Sequence, residues 1–249
     1  MANITPHQHS IIKGSRLPIT GRRAVNYKGS PLLSYYPKFP QITPDTVCNI
    51  DFSKGVPEDL GHHEFTVVED GNPIYSPNSK FNGFSSYIPS GASTNLCYIA
   101  PHVDFLIDYP MTIEAWIWLD EQGSAVQVIV SAKESGNYQL SIDASGKVLF
   151  EVYVDASYVS IASTSDVLTE QWVYVAGSYN GVLLSVHNNL EQTTIAQTGH
   201  IQSASTELTF GAMPPQGSFT LPLRGYLGAA HVINRIKTQS EIEKYLIGV

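Results

Sequence analysis

The 249-residue chain has few charged residues, which make up 14% of it, whereas a typical soluble domain carries about 25%. This shortage argues against a disordered protein and against long charged helices. No apolar run approaches the roughly 20 residues that a membrane-spanning helix needs, although 43% of the residues are hydrophobic and 10% are aromatic. The composition therefore predicts a soluble protein that builds a hydrophobic core and has no membrane span.

Cysteine is scarce too, because the chain contains only Cys48 and Cys97. Two cysteines cannot form a disulfide scaffold, and their spacing does not reveal whether they are bridged. Free cysteines are commonly buried, which favours two buried thiols.

Several catalytic patterns are absent as well. The chain has no nucleophile elbow, no Walker loop, no G-x-G-x-x-G, and no E-x-D-x-E or E-x-D-x-x-E strand of the kind that glycosidases use. Glu151 and Asp155 have the same parity, but they are four positions apart, roughly 13 Å along a strand, which is too far for a retaining pair. We therefore predict no enzyme and assign no catalytic residue.

Metal-site patterns are weak. The run His62-His63-Glu64 lacks H-E-x-x-H spacing, and adjacent residues on a strand point to opposite faces, so exposed loop histidines are the better interpretation. No cofactor or metal ligand is assigned. A calcium ion on one rim stays an open alternative without named ligands, since carboxylates such as Asp51, Glu69, Asp70 and Asp143 are scattered.

Acidic residues are missing altogether from residues 1–44, which we call the N-terminal arm. Six basic residues lie there, namely Lys13, Arg16, Arg22, Arg23, Lys28 and Lys38, together with six of the 15 prolines. Residues 45–249, which we call the body, hold eight basic and all 22 acidic groups, a formal charge of −14. Proline stiffens the arm and its pattern fits neither helix nor strand, so we expect an extended segment.

The arm also carries apolar and aromatic residues, including Ile11, Leu17, Tyr35 and Phe39, which need a surface to lie on. One reading is an arm that wraps its own body or frays. The other is an anchor whose six basic residues face an acidic surface of another subunit or a larger assembly. Direct binding to nucleic acid is not expected, because the basic groups are sparse and the body repels phosphate.

From residue 45 onward the pattern is that of short strands. Met111 to Leu119 alternates and carries bulk on both faces, which predicts a central strand. Asn137 to Asp143 and Lys147 to Asp155 predict a hairpin with Leu149, Glu151 and Tyr153 on the face away from the core. Gln171 to Tyr179 and Val182 to His187 flank Asn180-Gly181, which favours a type I′ turn. Further strands are expected at 191–196, 207–212 and 224–234.

Only the end of the chain predicts a helix. Thr238-Gln239-Ser240-Glu241 has the spacing of a capping box. Ile242, Tyr245 and Leu246 then share one face, as expected for a short helix docked on a sheet.

The order of these features resembles the laminin G-like, or concanavalin A-like, jelly-roll family. The segments that carry the resemblance are Asn49 to Phe52, Phe81-Asn82-Gly83, Met111 to Trp116, Trp172 to Gly181, Leu208 to Gly211, and Gly225 to Gly228 with the run to Ile242. The resemblance implies an all-β fold, a two-sheet antiparallel sandwich. No activity follows from it, because this fold hosts lectins, adhesion modules, glycosidases and viral structural parts.

Sugar binding would need exposed aromatic rings beside planar polar side chains. Tyr153 and Tyr158 are the candidates, whereas Trp116, Trp118 and Trp172 are expected to fill the sandwich interior or to lie under the arm.

We expect a virion structural protein of a bacteriophage: a capsid decoration, head fibre or tail component that displays the sandwich. The arm would bind other virion proteins, with the protein as a homo-oligomer in the assembly. The first 16 residues lack a secretory signal pattern, so we expect localisation in a virion assembled in the host cytoplasm. The alternative is a carbohydrate- or receptor-binding lectin module for attachment to host surface glycans.

Overall fold

A computed structural model describes residues 42–52, 57–70, 74–76, 86–88, 96–133, 136–202, 204, 207–213 and 222–247. Its strands are β1 (Thr46–Asp51), β2 (Glu58–Asp59), β3 (Val67–Asp70), β4 (Ile74–Ser76), β5 (Ser86–Ile88), β6 (Leu96–Ile99), β7 (Met111–Leu119), β8 (Gln127–Ser131), β9 (Tyr138–Ile142), β10 (Lys147–Val154), β11 (Ser157–Asp166), β12 (Trp172–Tyr179), β13 (Leu183–Asn188), β14 (Glu191–Ala196), β15 (Leu208–Phe210) and β16 (Gly225–Ile233). A 3-10 helix, Val103–Phe105, precedes β7, and the α-helix α1 spans Gln239–Ile247.

The first sheet has the strand order β14-β13-β12-β7-β16-β1-β2, with β5 paired to β16 and β4 paired to β5. Strand β7 is antiparallel to both β12 and β16. Every residue of β7 except Trp118 is buried. This confirms the central position that its bulky residues on both faces predict.

The second sheet has the order β11-β10-β9-β8-β15-β6-β3. The predicted hairpin of β9 and β10 is present, and Asp143 caps its turn by accepting hydrogen bonds from the backbone of Ser145 (2.8 Å) and Lys147 (3.0 Å). Gly146 completes the turn at φ +89°. The named strand pairs of both sheets are antiparallel, so the predicted all-β, two-sheet jelly-roll sandwich is confirmed.

The core lies between the two sheets. The residues expected to face it from β9 and β10 are all buried in it: Tyr138, Leu140, Ile142, Val148, Phe150, Val152 and Val154. The sheets approach closely at Gly177, where an added Cβ would lie only 2.2 Å from the Phe150 ring. A side chain is therefore excluded at this point of β12.

Helix α1 covers the outward face of the first sheet. Its capping box is formed as predicted: the Glu241 backbone N–H donates to Thr238 Oγ1 (3.2 Å), and the Thr238 N–H donates to Glu241 Oε2 (2.8 Å). Ile242 and Leu246 are buried against the sheet.

The large aromatic rings of the first sheet lie beneath this helix. Trp116, Trp172 and Tyr174 form a second apolar cluster with the buried helix residues. The Trp116 indole N–H donates to the Tyr245 hydroxyl at 3.0 Å. These tryptophans are therefore buried, but on the outer side of the sheet and not in the space between the sheets.

The Asn180-Gly181 hairpin differs in detail from the prediction. Only Gly181 has a positive φ, +85°, so the turn is not type I′. The Asn180 side chain instead accepts hydrogen bonds from the backbone N–H groups of Val182 (2.9 Å) and Leu183 (2.7 Å). This side-chain cap closes a longer loop, because asparagine oxygens bond readily to the backbone two residues on.

Cys48 and Cys97 are buried thiols, as expected. Burial, followed by the charge of Asp59, raises the pKa of the Cys48 thiol. No helix in the described part of the chain is long and apolar enough to cross a membrane. The basic arm residues Lys13, Arg16, Arg22, Arg23, Lys28 and Lys38, and the segment Phe81 to Gly83, lie outside the described residues.

Candidate functional site

The outward face of the second sheet carries a row of polar side chains. Ser131 of β8 is in register with Gln139 of β9, which is in register with Glu151 of β10. The Ser131 hydroxyl donates to Gln139 Oε1 (3.2 Å), and Gln139 Nε2 donates to Glu151 Oε2 (3.3 Å). Ser131 and Gln139 are buried, whereas the Glu151 side chain keeps 15% of its surface exposed. Of these three side chains, Glu151 is therefore the one that reaches solvent.

Lys133, just beyond β8, completes that end of the row. Its Nζ lies 2.9 Å from Glu151 Oε2 and 4.4 Å from the centroid of the Tyr158 ring. The cation is thus bound by a carboxylate and by an aromatic face at the same time.

Two tyrosines lie beside this ion pair. Tyr153 of β10 and Tyr158 of β11 are cross-strand partners, with ring centroids 4.8 Å apart and planes inclined at 56°. Tyr158 is 41% exposed, and Tyr153 is half-buried. The structure therefore brings together the two residues that the sequence indicated as carbohydrate-binding candidates.

The Tyr158 ring is held in place at its polar end. Its hydroxyl donates to the carbonyl oxygen of Lys133 at 2.8 Å. Burial raises the pKa of Tyr158, the Glu151 charge adds to this effect, and a hydrogen bond with Gly136 opposes it. The hydroxyl consequently stays protonated and able to donate.

The tight hairpin between β10 and β11 sets the two tyrosines opposite each other. Its turn residues, Asp155 and Ala156, both have left-handed backbone conformations, with φ of +49° and +64°. Val154 and Ser157 are paired on either side of the turn. The sequence does not predict this hairpin, because a two-residue turn with two positive φ angles is typically signalled by glycine or asparagine.

The carboxylates of Glu151 and Asp155 meet different surroundings. Glu151 binds Lys133 and Gln139, whereas the Asp155 carboxylate lies beside Gly199. The two groups are therefore not arranged around a common cleft as an acid and a nucleophile would be.

The histidines and acidic residues considered for metal binding are dispersed. His62 and His63 lie exposed in a loop, with His63 Nδ1 3.2 Å from Asp104 Oδ2. Asp143 is used in its own turn, and its pKa is lowered because hydrogen bonds from Lys147 and Ser145 outweigh the effect of burial. Among the described residues there is no group of three metal-ligating side chains.

A second polar cluster, under α1, was not anticipated from the sequence. Lys237 Nζ donates to both carboxylate oxygens of Glu114, at 2.9 and 2.6 Å. His231 Nδ1 lies 3.0 Å from the same carboxylate, and the Tyr174 hydroxyl also donates to it. Burial alone would raise the pKa of Glu114, but Lys237 and His231 hold it at about 2. The cluster is closed to solvent. Lys237 Nζ also lies 4.2 Å from the centroid of the Tyr245 ring, so the cluster links α1 to the sheet.

The fold is similar to that of several solved protein domains. One is the binding domain of Paraclostridial Mosquitocidal Protein 1, with a TM-score of 0.64 and 9% identity over 81% of this chain and 52% of that one. Another is domain 4 of AbnA, a GH43 extracellular arabinanase from Geobacillus stearothermophilus, in complex with arabinotriose, with a TM-score of 0.63 and 12% identity over 81% of this chain and 98% of that one. A third is the binding domain of botulinum neurotoxin DC in complex with rat synaptotagmin II, with a TM-score of 0.63 and 13% identity over 82% of this chain and 51% of that one. At these identities the likeness shows the fold alone. The chain spans about half the length of the two toxin domains.

Comparison of the sequence with known proteins and families identifies the family. No curated protein matches the chain. Residues 91–243, more than half of the chain, match the sequence model of one family, and this match includes β7, β12 and the start of α1. The chain therefore belongs to the concanavalin A-like lectin/glucanases superfamily.

Proposed function

We propose that the protein is a non-enzymatic carbohydrate-binding module that attaches to cell-surface glycans. The observation that carries this proposal is the pair of tyrosine rings on the outward face of the second sheet, next to Lys133 and Glu151. Sugar rings pack their C–H faces on aromatic side chains, while their hydroxyls require donors and acceptors at the edge of the ring. Both kinds of group meet at this site.

The structural relatives support the same class of function. One of them is an arabinanase domain in complex with arabinotriose, and two are binding domains of toxins. For this chain, binding in place of turnover is favoured because the Glu151 carboxylate is committed to Lys133 and Gln139.

A glycan array with the purified full chain tests the proposal. Tyr158→Ala and Tyr153→Ala should each weaken binding about tenfold, the loss of one aromatic contact of about 1.4 kcal/mol. Tyr158→Phe should retain most of the binding because it keeps the ring. Tyr109→Ala is the matched control, since Tyr109 is 38% exposed but its ring packs against Gly181 and the Tyr179 ring of the first sheet.

Two results would refute the proposal. One is a folded protein that binds no glycan, with or without calcium. The other is binding that survives in both tyrosine-to-alanine variants while circular dichroism shows that all the proteins are folded.

A second candidate function rests on the charge of the arm. Residues 1–44 carry six basic and no acidic groups, opposite in sign to the body. This contrast favours a bacteriophage virion component, localised in the virion, whose arm binds neighbouring virion proteins while the sandwich is displayed outward. Within an assembly the arm should be protected from protease, and deletion of residues 1–44 should abolish incorporation. Incorporation of the deleted protein at the normal level would exclude this role.

A further inference from the structure

We propose that the site at Tyr153 and Tyr158 takes an uncharged oligosaccharide, and that Glu151 is the specificity residue that excludes acidic glycans. This inference rests on the proposed carbohydrate-binding function and adds the charge class of the ligand.

The first step concerns the cation. Among the described residues that contact the two tyrosine rings, the basic group is Lys133. A sialylated or sulfated glycan would use this cation. Its Nζ is already 2.9 Å from the Glu151 carboxylate and lies over the Tyr158 ring. Only 19% of the Lys133 side chain and 15% of the Glu151 side chain are exposed. The pair is therefore partly shielded from solvent. Opposite charges attract each other more strongly in such a site than in water.

The second step concerns the anion. A ligand carboxylate or sulfate close enough to bind Lys133 would also approach Glu151, since the two side chains are in direct contact. Like charges at such a distance repel, more so in a partly buried site than in water. The field of the whole body acts in the same direction, because residues 45–249 carry a formal charge of −14.

The third step concerns the hydrogen bonds that remain. Within the described part of the chain, the hydrogen bonds to Glu151 from Lys133 and Gln139 both end on Oε2. This leaves Oε1 as an acceptor for a hydroxyl group. Lys133 has three donors, of which Glu151 takes one. One open acceptor and spare donors beside aromatic rings match a sugar hydroxyl, which donates and accepts at once.

The test is a printed array in which each neutral oligosaccharide stands beside its own sialylated and sulfated forms. The protein is the full chain, and the quantity measured is the ratio of neutral to acidic binding. The wild type should prefer the neutral forms at least about tenfold. Glu151→Gln removes the negative charge but keeps an acceptor, and should reduce this ratio about tenfold as acidic glycans gain access to Lys133.

Glu121→Gln is the matched control. Glu121 also pairs with a basic residue, Arg224 at 2.6 Å, but both side chains are more than half exposed. The adjacent Gln122 packs on Gly146, at the opposite end of β10 from Tyr153. This variant should leave the ratio unchanged. Lys133→Met, which leaves Glu151 without its partner, should raise the ratio further.

The outcomes separate this inference from the function on which it rests. A wild type that prefers acidic glycans, or a Glu151→Gln variant with an unaltered ratio, overturns the inference and leaves the carbohydrate-binding function standing. A folded protein that binds no glycan on the array overturns both.

Discussion

At the scale of single residues, the ion pair under α1 has the largest expected effect on stability. Glu114 and Lys237 are 1% and 9% exposed, and Lys237 contacts both carboxylate oxygens. Lys237→Met leaves the buried carboxylate with less compensation and should lower the free energy of unfolding by about 3 kcal/mol. Urea denaturation at neutral pH measures this change.

The control for this prediction is Lys244→Met, on the exposed side of α1, which should change stability by less than about 0.5 kcal/mol. The double variant Glu114→Gln with Lys237→Met should recover part of the loss, because neither charge is then left buried alone. Equal effects of the buried and the exposed lysine would contradict the structural role assigned to the pair.

Residue types alone indicated part of the candidate site. Tyr153 is on the outward side of its strand by simple alternation. Lys133 and Gln139 gave no such signal, because lysine and glutamine are ordinary surface residues until a neighbouring strand brings Glu151 within reach.

At the scale of the elements, the cap of α1 can be tested separately from its packing. Thr238→Ala removes the hydroxyl that accepts from the Glu241 backbone and should cost about 1 kcal/mol. Ser240→Ala changes an exposed serine in the first turn and should be close to neutral. Thermal unfolding of both variants, followed by circular dichroism, measures the difference. A Thr238→Ala protein as stable as wild type would show that the cap contributes nothing to the stability of the helix.

The strands differ in how clearly their own sequences predict them. The hairpin of β9 and β10 was predicted because Gly146 and alternating apolar residues are local signals. Strand β11 was missed, since its ten residues are mostly small, polar and exposed and its turn lacks glycine. It is a strand because β10 supplies hydrogen-bond partners along its length, which is a tertiary and not a local cause.

At the scale of the whole molecule, stability should fall in two steps on acidification. Burial lowers the pKa of His187 to about 4, from an ordinary value of 6.5. The unfolded chain therefore takes up this proton first, and stability present above pH 6.5 is lost as the pH falls towards 4, by up to about 3 kcal/mol. The pKa of Glu114 is lowered from 4.5 to about 2 in the folded protein. The unfolded chain therefore takes up this proton first as well, and further stability is lost as the pH falls from 4.5 towards 2.

Urea denaturation at a series of pH values measures both steps. His187→Gln should remove the step between pH 6.5 and 4 and leave the lower one in place. A stability curve that is flat down to pH 4.5 in the wild type would contradict the assignment to His187.

By itself the sequence determined the class of fold, the central place of β7, the inward face of the β9–β10 hairpin and the capped terminal helix, because each of these follows from local alternation, turn residues or capping. It also determined the opposite charges of arm and body, which are a matter of counting. Only the tertiary structure decided that the tryptophans lie under α1 and that Glu114 is neutralised by Lys237, 123 residues away. It likewise decided that two tyrosines, a lysine and a glutamate share one exposed face. Such contacts depend on which strands become neighbours, and strand order is set by packing of the whole chain, which no local pattern encodes.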